Sequence, residues 1–112
     1  MIPRDERPLW WILDADHRAV PTDMHEWATF FKDQNNRRVA FDKVEGFAVS
    51  TLFLGTDRPF GASGPPLLFE TMVFGSDDSI QGSAWWSTWD EAIEGHARMV
   101  DDVRTRGSGK RQ

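Results

Sequence analysis

Two pairs of adjacent tryptophans, Trp10-Trp11 and Trp85-Trp86, lie in short β-prone runs. A pleated strand sends neighbouring side chains to opposite faces, so one indole of each pair enters the core and the other leaves it. The chain of 112 residues must therefore build a layered fold around a sheet whose second face carries large apolar groups. Aromatic content makes such a core attainable. Six Trp and eight Phe supply side chains that each bury roughly 150 to 250 Å². The length suits one domain, expected over 9–106, with a loose lead-in at 1–8 and a disordered basic tail at 107–112.

The apolar period changes along the chain. Trp10 to Leu13 reads as a strand over 9–13, ended by Asp14, Asp16 and His17. Thr22 is the expected N-cap of a helix in which Met24, Trp27, Ala28 and Phe31 form the buried stripe, with Phe30 beside it. That pattern lasts about three and a half turns and dies at Asn35-Asn36. From Arg37 the period is two: Val39 and Phe41 alternate with Arg38, Ala40 and Asp42, Glu45-Gly46 offers a turn, and Phe47, Val49, Thr51 and Phe53 continue. A hairpin results. Gly55 to Pro66 is a long loop rich in Gly and Pro, and Leu67 to Phe74 reads as a central strand covered on much of both faces. After a polar turn, 83–86 reads as the last strand.

Thr88 and Glu91 form a capping box that opens a second helix with Trp89, Ile93, His96, Val100 and Val103 on its stripe and Gly107 as its stop. The expected fold class is α+β: a mostly antiparallel four- to five-stranded sheet with two helices packed on one face, in the order β-α-β-β-β-β-α.

Charge narrows the function. Residues 1–103 hold 9 bases against 18 acids, whereas the overall net charge is −5 because Arg104, Arg106, Lys110 and Arg111 crowd the end. An acidic body repels a phosphate backbone, which argues against general nucleic-acid binding and suits a basic partner surface. With no cysteine, disulfides, thiolate catalysis and Cys-ligated zinc are excluded. No apolar run reaches the length of a membrane span, and the N-terminal stretch lacks signal-peptide order, so the expected location is the cytoplasm.

The residues that carry chemistry follow no known catalytic motif, and no cofactor or metal is expected. Asp14, Asp16, His17, Asp23, His25 and Glu26 supply oxygen and nitrogen donors, but their spacing matches no metal loop, and a solvated turn is the expected reading. His96 on an apolar stripe reads as a core histidine bonded to a backbone carbonyl, with a general base as the functional reading. Glu70 within the apolar strand reads as an outward acid paired with Arg37, Arg38 or Lys43. Arg58 and Phe60 on the Gly-rich loop suit an anionic or planar ligand, although the loop lacks the Lys and helix of a P-loop. Outward tryptophans from Trp10, Trp11, Trp85 and Trp86 would form an apolar patch of the kind that marks a binding site.

Three stretches resemble a family of small, mostly uncharacterised proteins of tailed bacteriophages and prophages: Ser50-Thr51-Leu52-Phe53-Leu54-Gly55 on to Phe60-Gly61, Gly64 to Gly75 (GPPLLFETMVFG), and Ser87-Thr88-Trp89-Asp90-Glu91-Ala92 on to Gly95-His96. The resemblance spans about residues 9–103, the middle stretch being the most distinctive. Where members carry a charged residue and a tyrosine before the Ser-Thr-Trp segment, this chain has Trp85-Trp86. The resemblance supplies no catalytic residues. It implies an accessory protein acting in a bacterial host cytoplasm, where small phage proteins bind and neutralise host components.

The leading expectation is a non-catalytic inhibitor of a host defence factor, with a possible homodimer. The alternatives are a sequesterer that holds a nucleotide-like anion with Arg37, Arg38, Arg58 and a tryptophan, and a small hydrolase built on Glu70 and His96.

Overall fold

The computed structural model describes residues 8–57 and 64–109. The elements run β1 (Trp10–Leu13), β2 (Ala19–Thr22), α1 (Met24–Lys32), α2 (Gln34–Arg37), β3 (Arg38–Val44), β4 (Phe47–Phe53), β5 (Phe69–Phe74), β6 (Ile80–Trp86) and α3 (Trp89–Gly109). Strands β3-β4-β5-β6 form an antiparallel sheet in chain order, and β1-β2 form a separate antiparallel pair. The fold is α+β, with the helices against one face of the larger sheet, as the sequence leads one to expect.

Several details differ, each for a local reason. The strand β2 escapes the sequence reading because Pro21 sits inside it; with only one partner, β2 spares Pro21 a second ladder bond. Thr22 therefore ends a strand, and Asp23 is the true N-cap of α1, its carboxylate accepting from the Glu26 N–H at 2.8 Å. The first helical pattern is broken in two because Asp33 stops α1 and caps α2. Met24 and Ala28 are exposed, while Trp27, Phe30 and Phe31 are half-buried, so the inward face is rotated from the expected stripe. In β3 a bulge between Arg38 and Ala40 resets the alternation: Val39 packs on the core, and Phe41, read as inward, points outward. The strand β5 is buried only at Phe69, Thr71 and Val73, so it is covered on one face rather than two. In α3, Ala92 takes the buried position expected of Ile93, which is exposed. The helix also continues past Gly107 to Gly109, and the rest of the expected tail, like residues 1–7 of the expected lead-in, lies outside the described residues.

The core lies between α3 and the sheet in two apolar clusters. One joins Trp11, Phe53, Leu68, Phe69 and Ala92, with Phe30 of α1 edge-on to Phe53. The other joins Val44, Val49, Val73, Val100 and Val103. The helix comes close to the sheet at Gly95, where a methyl group would overlap the benzo ring of Trp86. Close approach explains a glycine in a helix interior. Gly95→Ala gains about 1 kcal/mol of helix propensity but overpacks the site by more, so a net loss of about 1 to 2 kcal/mol is expected in urea unfolding.

Candidate functional site

Alternation in β4 and β5 puts Thr51 and Thr71 opposite each other on the helix-facing side. Both are fully buried, and their Oγ1 atoms lie 2.5 Å apart. The α3 stripe adds His96, 5% exposed, whose Nδ1 is 2.7 Å from Thr51 Oγ1 and whose Nε2 is 2.8 Å from Asp42 Oδ2 on β3. Trp86 closes the chain by donating its Nε1–H to Thr71 Oγ1 at 2.9 Å. Assigned from these directions, one set of protons satisfies every member: Trp86 donates to Thr71, Thr71 to Thr51, Thr51 to His96 Nδ1, and His96 Nε2–H to Asp42.

Here the carbonyl partner expected for His96 is replaced by a hydroxyl and a carboxylate. Acid, imidazole and hydroxyl stand in the order of a nucleophilic triad. The chemistry does not follow, because Thr51 is sealed beneath α3 and its oxygen is already engaged with Thr71. A nucleophile must reach a carbonyl, and this one reaches only protein. Glu70 also lies on the opposite face of the sheet, in the row Leu52, Glu70, Trp85, so Glu70 and His96 share no site. No ion pair joins Glu70 to Arg37, Arg38 or Lys43 among the described residues.

The tryptophan pairs divide as pleating requires. Trp11 is buried, and Trp10 turns the other way only to meet Trp27 of α1 at a ring-centroid distance of 4.7 Å. Trp86 points inward onto Gly95 and is half-buried, and Trp85 points outward, 38% exposed. Around Trp85 the outward face gathers Phe41 and Ile80, 46% and 61% exposed, with Leu52, Met72 and Phe74 half-buried between them. The residues missed by sequence reasoning are Phe41 and Ile80. The bulge in β3 concealed the first, and the polar turn before β6 absorbed the second.

No protein-family model, curated protein or solved structure matches this chain.

The arginines do not converge. Arg37 lies over the Phe31 ring at 4.5 Å, and Arg38 over Phe41 at 5.8 Å on the outward side. Arg58 and Phe60 lie outside the described residues. A groove of about 690 Å³ does open between the β1–β2 turn, Pro65-Pro66 and the start of α3, lined by Trp11, His17, Arg18, Leu68 and Trp89. His17, at φ 64°, stacks on Trp89 with centroids 3.9 Å apart. Beside it, Asp14 Oδ1 accepts from the Asp16 and Arg18 N–H groups, and the Arg18 bond foremost holds its carboxyl below the usual range. No cluster of metal-ligating side chains occurs among the described residues. No helix among them is long and apolar enough to cross a membrane.

Proposed function

We propose that this chain is a small phage-type accessory protein that binds a host protein and inhibits it without catalysis, using the outward face of the four-stranded sheet. The observation that carries this reading is the exposure of Phe41, Ile80 and Trp85 on one sheet face that no described element covers. A strand spacing of about 4.8 Å and a two-residue repeat of about 6.8 Å spread its outward positions over roughly 15 by 15 Å, the scale of a functional apolar patch. The charges on this face are Arg38, Lys43 and Glu70, so the acidic excess of the body lies elsewhere. Aromatic contact, rather than charge, anchors the partner, and Trp85 is the natural hot spot. Trp85→Ala is expected to weaken capture of the host partner about 30-fold or more, with the unfolding transition unchanged. Affinity capture from bacterial lysate followed by titration of the retained protein reads the effect, and equal capture by wild type and variant overturns the reading. Trp86→Ala is no equivalent test, because it removes core.

The groove beside Trp11 supports a second reading, sequestration of a planar ligand by the surrounding aromatics, with Arg18 to meet an anionic group beside the lining acids Asp16 and Asp90. Its volume lies within the usual range for small-molecule sites. A melting temperature that rises with added nucleotide, and stops rising in Arg18→Ala, supports it by mass action; a flat response removes it.

A further inference from the structure

The two edges of the larger sheet are built differently. The strand β3 carries Arg38, Asp42 and Lys43 and a bulge, the devices by which natural edges avoid pairing with other chains. The strand β6 has neither a charge nor a proline in seven residues, and its own bulge lies near Ile80, leaving Gly82 to Trp86 regular. It pairs with β5 on one side and with no described residue on the other. An open edge demands strand-forming backbone, so the occupant is an extended segment.

We infer that the β6 edge pairs antiparallel with β6 of a second copy of this chain, joining two four-stranded sheets into one of eight strands. The size pattern is self-complementary. A two-fold axis at Ala84 sets Trp85 opposite the partner's Ser83 and Trp86 opposite the partner's Gly82, so each large ring neighbours a small residue. A side chain added at Gly82 would meet nothing within 4 Å, which leaves room beside that position. The groove next to the edge is rimmed by Glu91, Glu94 and Arg98, so the rim offers both signs of charge to its own copy. The contact is isologous and closed, ending at a dimer rather than a filament. It stands apart from what the outward face binds, although it would merge two such faces and bring two Trp85 rings onto one surface.

Sedimentation equilibrium from micromolar to near-millimolar chain reads the mass directly. The expected result is a species of twice the 12.8 kDa chain mass, and Ser83→Lys, which installs the charge that natural edges carry, should raise the dissociation constant at least tenfold. Ser50→Lys, in the middle of the outward face, should leave the dimer intact. In wild type, amide exchange at Gly82 to Trp86 should slow as concentration rises, which keeps the test alive if Ser83→Lys fails to fold. A monomer at every concentration with unchanged exchange, or a dimer that Ser83→Lys spares, overturns the inference. Loss through Ser50→Lys alone overturns it in favour of face-to-face stacking, and protection only when a host protein is added overturns it in favour of a foreign strand.

Discussion

Gly55→Ala is expected to lower the unfolding free energy by about 3 kcal/mol, from two sources that add. Gly55 sits at φ +72°, where an L side chain costs about 1 to 2 kcal/mol. Its added methyl would also stand 2.5 Å from both Trp11 O and Trp27 Nε1. Neither neighbour can retreat freely. The Trp11 N–H donates to Gly55 O at 2.9 Å, and Trp27 Nε1–H donates to Leu54 O at 3.1 Å, so the clash pushes apart the two bonds that fasten β1 and α1 to the end of β4. Overpacking of this kind adds about 1 to 3 kcal/mol. Urea unfolding measures the loss, and indole fluorescence locates it, since Trp10, Trp11 and Trp27 should shift together. Asn tolerates a positive φ but carries the same Cβ, so Gly55→Asn should recover only part of the loss. A loss under about 1 kcal/mol would mean that the β1–β2 layer is not anchored through Gly55.

How much of this was legible in the sequence depends on whether a signal was local. The capping box was: Thr88 Oγ1 accepts from the Glu91 N–H at 3.1 Å, while Glu91 takes the Ser87 N–H at 3.0 Å. The Glu45-Gly46 turn was also readable, because Gly46 supplies one of the two positive φ angles that a hairpin of this type requires. The division of each tryptophan pair followed from pleating alone. What escaped was non-local or irregular. A single bulge at Val39 reversed the outward order of β3 and exposed Phe41. The partners of His96 come from positions 45 and 54 residues away, and no spacing rule links them. One trace was present in hindsight. Thr51, Thr71 and His96 are each a polar interruption of an apolar stripe, and three interruptions on three stripes can meet only if register brings them to one level.

His96→Ala is expected to cost about 3 to 4 kcal/mol, whereas Asp42→Ala costs less than about 1, although both break the same hydrogen bond. The difference is burial. His96 is 5% exposed, and its loss leaves a cavity and deprives Thr51 of an acceptor, but the Asp42 side chain is 54% exposed and water replaces its partner. Thr51→Val or Thr71→Val should each cost about 2 kcal/mol, by orphaning His96 Nδ1 or Trp86 Nε1–H, and the double variant less than their sum, since each removes the other's missing partner. Stability is the smaller part of the argument. Along β4 and β5 the inward residues are Val49, Thr51 and Phe53 against Val73, Thr71 and Phe69, and a slip by two residues would keep every apolar face inward. The threonine layer, pinned by His96 from α3, makes that slip costly, because it would set a hydroxyl against valine or phenylalanine on both sides. The Thr51→Val/Thr71→Val variant should therefore fold cooperatively yet show doubled amide resonances for β4 and β5. A single set of resonances would reduce the network to an ordinary satisfied core, with no part in choosing the register.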